Sequence, residues 1–254
     1  FSQNALGGRG ELVSTPGLGV GGAIEIGCKK VLTRFGRNCV VVVMAGDGQM
    51  DPRDLERVIQ PVLDGCADHV KGNRWLHPEG PKGMPVIRRV GTWWLSRLTS
   101  LASGVRIRDS QCGYTATSGS MIADWDWSRT WQGYGYPNWW LMEAGRRGFR
   151  IEEVPVRSIY ANETSGIRIS RFLGSVSWML WKGVWRRGID WYILGKDTSP
   201  WLKVVANSLW FSGWITLLFS LQNPALLLAA PVAFMILAGL DYKESKRRRG
   251  YVSA

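Results

Sequence analysis

The stretch VVVVMAGDGQMDP, Val40 to Pro52, decides how the rest of the chain is read. Its opening is a short, continuous, β-branched apolar run, which predicts a strand buried on both faces, as in a parallel sheet. The run ends at Asp47, flanked by glycines, with Gln49 two residues further on. Asp51 then precedes Pro52, which suits the first turn of a helix reaching about Leu63. Asp51 is placed to cap that helix, with Asp54 and Glu56 near its positive end. Ligands of open parallel sheets bind beyond the carboxyl ends of the strands. Asp47 therefore stands where a carboxylate can hold a divalent cation against a diphosphate, with glycines allowing close backbone approach. An ordinary strand-to-helix turn reads equally well from this stretch alone.

Working outward, GLGVGG is a glycine turn before an amphipathic helix carrying Ala23, Ile24, Ile26, Val31 and Leu32. DHVKGNRW reads as the next strand and its exit. PVIRRVGTWWLSRLTSLASG, Pro85 to Gly104, predicts a long helix with Val86, Val90, Trp93, Trp94, Leu98 and Leu101 on its apolar side. LMEAGRRGFRIEEVPVRSIY predicts a short helix ended by Gly148, then an alternating strand. Helix and strand in alternation imply a βαβ arrangement and a mainly parallel sheet covered on both faces.

The C-terminal third settles the broad class. Between Lys203 and Asp241 lie 37 residues without a charge. One helix of that length would be about 55 Å long, nearly twice the hydrocarbon thickness, so it folds back, with Gln222-Asn223-Pro224 as the turn. Two membrane helices follow, about 203–221 and 224–240. Before them Ile169 to Trp191 mixes tryptophan and leucine with arginine and lysine, too charged to span and suited to lying in the interface. The loop between the spans has no Lys or Arg, whereas the preceding segment and the tail are rich in both, which places both termini, the domain ahead of the spans and the C-terminus, on the cytoplasmic side.

The 254 residues suffice for a real core. Cys28, Cys39, Cys66 and Cys112 stand singly and the histidines are only His69 and His77, which argues against a disulfide framework or a zinc site. The net charge of +12 comes with 15 tryptophans and gathers beside apolar segments, so a membrane surface explains it better than nucleic acid.

In order along the chain, GDGQMDP, VKGNRW, MPVIRRVGTWWLSRL, RDSQCGYTATS and GFRIEEVPV together resemble the family 2 glycosyltransferases of GT-A fold. The likeness is strongest to the membrane-associated dolichol-phosphate mannosyltransferase and polyprenyl-phosphate glycosyltransferase group, and it covers roughly Gly19 to Arg171. It implies an α/β, Rossmann-like GT-A domain over residues 1–168, interfacial amphipathic helices over 169–202, and a transmembrane hairpin with a basic cytoplasmic tail over 203–254.

By position, Asp47 matches the metal-binding aspartate of the family's D-x-D motif, and Gln49 the glutamine that helps hold metal and donor diphosphate, so Mg²⁺ or Mn²⁺ is the implied cofactor. Ala45 stands where the first D-x-D aspartate is expected, which leaves diphosphate oxygens to complete the metal's ligands. Arg74 matches the arginine of a G-x-R segment, near donor or acceptor phosphate, where a guanidinium grips two oxygens. Arg88 and Arg89, opening their helix, are expected at the acceptor phosphate with Gln111. Asp109 matches the D-x-x-x-G acceptor-side motif, where it orients the attacking phosphate or takes its proton; a phosphate monoester is already largely ionised near neutral pH, which favours orientation. Ser165 and Arg168 occupy the place of a loop that closes over the diphosphate. Asn138 stands where many relatives carry an acid, which favours a phosphate over a hydroxyl acceptor. The processive signature Q-x-x-R-W is not found, although KGVWRRG resembles it.

The implied activity is inverting, non-processive transfer of one sugar from a UDP- or GDP-sugar to a polyprenyl phosphate, dolichyl or undecaprenyl, in cell-envelope glycan synthesis. The implied partners are those two substrates and the membrane, without nucleic acid; a homo-oligomer stays open. The rival is a catalytically inactive GT-A-like scaffold anchored in the membrane. Family members begin with a nucleotide-binding strand of V-P-x-Y-N-E type that this sequence does not carry, so the resemblance predicts an N-terminally truncated chain.

Overall fold

A small mixed sheet lies between two apolar layers and carries the candidate site at one end. The computed structural model describes residues 10–15, 17–160 and 169–251. Helix α1 spans Gly19–Phe35, strand β1 Val40–Val43, helix α2 Leu55–Leu63, strand β2 His69–Asn73, and helix α3 Val86–Ser103. There follow β3, Thr115–Ser118, the short α4, Gly119–Ala123, α5, Tyr136–Arg146, and β4, Ile151–Pro155.

The strand order is β1-β3-β2-β4, with β3 antiparallel to both its neighbours and β2 parallel to β4. The expected mainly parallel sheet is thus corrected to a mixed one, in which three strands share a direction and β3 opposes them. The cause lies in the loop before β3. Asp109 is bonded to Arg74 just beyond the carboxyl end of β2, and the Gly72 amide donates to the Tyr114 carbonyl at 2.8 Å. The chain therefore starts β3 where β2 finishes, and runs back. The four valines of β1 are also only half-buried, because the strand pairs on one side alone among the described residues.

One face of the sheet packs Val58 of α2 against Val70, Tyr114, Ala116 and Val156. Beyond the other, Trp125, Trp139 and Trp140 join Leu95, Met121, Met179 and Leu180, with Trp125 stacked on Trp140 at 4.1 Å. Fully burying such rings contributes on the order of 2–3 kcal/mol each.

Helix α3 turns most of its large apolar side chains outward. Val86 is 74% exposed, Val90 60% and Trp93 55%, whereas Leu98 is half-buried and packs against the tryptophan core. The buried face is Thr92, Leu95, Ser96, Thr99, Ala102 and Ser103. Small side chains let the neighbouring backbone come close, and a Cβ at Gly145 of α5 would stand 2.4 Å from the Ser103 carbonyl oxygen. The hydroxyls serve a buried polar network described below.

After β4 come α6, Ile169–Gly188, a π-helical turn at Ile189–Ile193, α7, Pro200–Phe219, a 3-10 turn at Pro224–Leu228, and α8, Ala229–Tyr251. Two helical spans, Pro200–Phe219 and Pro224–Arg249, are long and apolar enough to cross a membrane, with mean hydropathies of 1.3 and 1.9. The turn falls at Asn223, whose side chain accepts from the Ala225 amide. Helix α8 outruns the expected end near 240, because Glu244 ties the basic tail back by bonds from Arg247, Arg248 and Thr198.

Candidate functional site

The turn after β1 is built by Asp47. Its Oδ1 accepts the Gln49 amide at 3.0 Å, an Asx turn that Gly48, at φ 76°, completes. The carboxylate is exposed. Asp51 accepts the Arg53 amide at 3.0 Å and starts a 3-10 turn at Pro52, as its position before proline predicts. The turn is then fastened to the segment that leaves β4: Ile159 donates to the Gln49 carbonyl at 3.1 Å, and Met50 bridges Ser158. Asp54 adds a third tie by accepting the Arg157 amide at 2.7 Å. The Ser158 hydroxyl is buried with no hydrogen-bond partner among the described residues.

Arg74, expected near donor or acceptor phosphate, and Asp109, expected on the acceptor side, are brought together. Asp109 Oδ2 accepts from Arg74 Nε at 2.7 Å and from its amide at 3.1 Å, while Oδ1 accepts from Nη2 at 2.8 Å. Asp109 is fully buried and Arg74 is 8% exposed. Burial alone would raise the Asp109 pKa, but the charge and hydrogen bonds of Arg74 outweigh it and hold the carboxyl below its ordinary value. Burial likewise opposes the charge on Arg74, and Asp109 overcomes it. With both oxygens filled, Asp109 in this arrangement is an anchor for the loop ahead of β3, and Arg74 keeps only Nη1 for another partner.

That partner is Tyr160, whose hydroxyl accepts from Arg74 Nη1 at 2.8 Å. The Arg88 guanidinium lies 5.7 Å from the Tyr160 ring centroid, and Arg89 donates to the Pro81 carbonyl at 3.2 Å. A continuous seam therefore runs from the Asp47 turn through residues 158–160 to Arg74 and the start of α3. Tyr160 was not singled out in the sequence; its signal is modest, an aromatic just past the carboxyl end of the last strand. Glu153 is a second addition. It accepts the Arg108 and Asp109 amides at 3.0 and 2.9 Å, and burial raises its pKa. Lys71, wholly buried, donates to the Cys112 carbonyl in the same cluster, and burial lowers its pKa.

Gln111 and Asn138 meet. Gln111 Nε2 donates to Asn138 Oδ1 at 2.7 Å, and Asn138 Nδ2 donates to Thr99 Oγ1 at 2.8 Å and Ser110 Oγ at 3.0 Å. Asn138 is thus a fully buried hub joining the Ser110–Gln111 loop to α3 and α5. Ser165 and Arg168 lie outside the described residues.

Among the described residues no three His, Cys, Asp or Glu side chains converge as a metal site. Asp47 supplies a single exposed carboxylate, one oxygen of which is used by the turn. That set does not fit a resident structural ion, but it fits a cation that arrives with diphosphate oxygens of its own.

No family model matches the chain. It is 34% identical over 142 residues to the UDP-N-acetylglucosamine–dolichyl-phosphate N-acetylglucosaminyltransferase of Methanococcus voltae, covering 56% of this chain and 56% of that protein. It is 32% identical over 146 residues to an uncharacterised protein of Methanocaldococcus jannaschii, covering 56% of this chain and 58% of the relative. The glycosyltransferase AglD of Haloferax volcanii is 28% identical over 254 residues, 92% of this chain but 38% of its own length. The chain thus spans little more than half of the first two relatives. The named relatives support a glycosyltransferase family.

Proposed function

We propose that the chain belongs to a membrane-anchored GT-A enzyme that moves one sugar from a nucleotide diphosphate to a polyprenyl phosphate, with inversion at the anomeric carbon. The observation that carries this reading is the seam itself: an exposed aspartate after β1 is tied by residues 158–160 to an arginine-bearing edge that opens a helix with outward apolar residues. A diphosphate laid along Asp47 and Gln49 would have its acceptor delivered from the side of Arg88, Arg89 and Gln111. The dolichyl-phosphate transferase among the relatives supports that choice of acceptor.

Asp47, with Gln49, would hold Mg²⁺ or Mn²⁺, which when bound would neutralise charge on the departing diphosphate. The chain's own residues do the remaining work. Arg88 and Arg89 offer cations to the acceptor phosphate, which is ionised near neutral pH and needs orientation more than deprotonation. The Arg74–Asp109 pair fixes the loop that presents Gln111, and Asn138 sets the Gln111 amide. The two apolar helices and α6 keep these groups at the height of the lipid headgroup, with the domain on the cytoplasmic side.

The rival, a non-catalytic scaffold, draws support from the lone Asp47 carboxylate opposite Ala45. Membranes containing the protein, incubated with labelled UDP- and GDP-sugars and polyprenyl phosphate, separate the two. The enzyme reading requires a lipid-linked sugar from at least one donor, lost in Asp47→Ala. No product from any donor, with donor binding unaffected by Asp47→Ala, would favour the scaffold.

A further inference from the structure

A groove of about 420 Å³ on α6 and the turn after it, lined by Trp178, Trp181, Lys182, Trp185, Arg186, Ile189 and Asp190, takes no part in the site above. Its rings are unusually open for tryptophan: Trp178 is 61% exposed, and Trp181 and Trp185 also face solvent. The wall continues into the apolar hairpin. Trp185 meets Trp210 of α7 edge to face at 4.8 Å, and Trp210 meets Trp214 and Phe234 at 5.8 Å each.

The mouth of the groove is cationic. Lys182 has no carboxylate partner among the described residues, and its ammonium stands 5.9 Å from the Trp178 ring centroid. The acids nearby are already matched: Glu143 takes Arg186 at 2.8 Å and Arg146 at 2.7 Å, and Asp190 takes Arg146 at 2.5 Å. Arg186 bonds Glu143 through one terminal nitrogen, so its other nitrogens remain to meet an anion. Indole rings at the headgroup level, a cation for a phosphate, and an apolar wall leading into a spanning helix are the three features an interfacial lipid requires.

We propose that this groove seats an anionic phospholipid of the bilayer, its phosphate at Lys182 and Arg186 and its upper acyl chains along Trp181, Trp185 and Trp210. The proposal rests on the membrane placement given above. It concerns a second lipid position, apart from the acceptor residues. Helices α3 and α6 run side by side, with Leu173 over Gly91, Trp94 Nε1 donating to Ser177 at 3.1 Å, and Arg187 beside Gly104. Lys182 and Arg186 are therefore level with the last turns of α3, while Arg88 and Arg89 open it, about 15–20 Å away at the helical rise.

The test is lipid titration of the full chain in detergent, with short-chain phosphatidylglycerol or phosphatidylcholine, bound lipid being counted by native mass spectrometry. The expected result is preferential retention of phosphatidylglycerol, weakened roughly fivefold by Lys182→Gln. Phosphatidylcholine binding should not change, and Lys243→Gln, a tail cation outside the groove, should leave both lipids as they were. Equal retention of the two lipids, an equal loss with Lys243→Gln, or displacement by excess inorganic phosphate would each overturn the proposal. Reconstitution into phosphatidylcholine bilayers keeps the two readings apart. A chain that stays out of the bilayer defeats the membrane placement and this proposal with it; one that enters but shows no lipid preference defeats the proposal alone.

Discussion

Asp47 gives one oxygen to the Gln49 amide and leaves the carboxylate in water, whereas Asp109 has both oxygens filled by Arg74 in a buried setting. The same substitution class must therefore act differently at the two positions. Asp47→Ala is expected to change stability by no more than about 0.5 kcal/mol, yet to lower sugar transfer by about 100-fold, the usual scale for losing one group that stabilises developing charge. Asp109→Asn keeps the shape but leaves the Arg74 charge buried without its partner, at a cost of roughly 3–5 kcal/mol. Thermal unfolding in detergent and a transfer assay on both variants would check the contrast; equal stability losses would refute it. His69 gives a pH prediction. It is buried against Trp140 and bonds Thr117 Oγ1 at 2.8 Å, and burial, helped by the nearby Lys71 charge, lowers its pKa to about 3. The unfolded chain then takes up this proton first as pH falls. Stability present above the ordinary histidine pKa of about 6.5 is lost toward pH 3, at up to about 1.4 kcal/mol per pH unit. Relative to wild type, His69→Gln should flatten that slope between about pH 6.5 and 5; an unchanged slope would show that His69 titrates alike folded and unfolded.

Helix α3 shows what periodicity can and cannot say. The spacing of Val86, Val90, Trp93, Trp94, Leu98 and Leu101 groups five residues that are exposed together with Leu98, which packs on the core, and it carries no information about which medium that side meets. Here Thr99, Ser96 and Ser103 are inside, because they fit close to α5 and bond Asn138, Ser110 and each other's loops. The turn at Asp47 to Pro52 was legible because its determinants are local, a strand end and a proline after a cap; the Asx turn at Asp47 emerged only in the structure. The Arg74–Asp109 pair and the Tyr160 bond were not, since their partners lie 35 and 86 residues apart and no local pattern announces them. That same pair stands where β2 ends and the loop to β3 begins, so the mixed sheet and the meeting of Arg74 with Asp109 have one origin. Two measurements follow for this element. Asn138→Ala strands the Gln111 amide and two hydroxyls in a buried space and should cost roughly 2–3 kcal/mol, with the acceptor KM rising more than the donor KM. Asn138→Asp, which keeps the acceptor oxygen facing Gln111, should restore part of the acceptor affinity. A nitroxide placed at Trp93→Cys in liposomes should be reached by oxygen and shielded from a water-soluble nickel chelate, whereas one at Arg106→Cys should show the reverse; chelate access at position 93 would turn the outward face of α3 toward water.

At the scale of the molecule, one arginine joins the sheet-bearing part of the chain to the apolar hairpin. Arg187, near the end of α6, donates to Asp241 of α8 at 2.6 and 2.8 Å and to the Leu101 and Ala102 carbonyls, the C-terminal end of α3, at 2.7 and 3.1 Å. A cation there also answers the negative end of the helix dipole. Tyr192 donates to Asp241 at 2.8 Å, and the Trp191 ring lies between Arg187 and Arg248, at 4.6 and 4.9 Å. Helices α3, α6 and α8 thus share one ion pair, in which Arg187 is buried and Asp241 half-buried. Buried pairs of this kind contribute little relative to a well-packed apolar pair, but removing one partner is costly, since the other charge is then stranded. Arg187→Met and Asp241→Leu are each expected to cost roughly 3–5 kcal/mol. The double variant should cost less than the sum by roughly 1–3 kcal/mol, the remainder reflecting the Tyr192 hydroxyl and two α3 carbonyls left without their partners. Thermal unfolding of the four proteins in one detergent closes the cycle. If the pair sets the height of the site above the bilayer, the double variant should also regain folding without regaining full transfer to membrane-borne acceptor, while retaining its rate on a short, detergent-soluble acceptor. Equal recovery on both acceptors would confine Arg187 and Asp241 to stability alone.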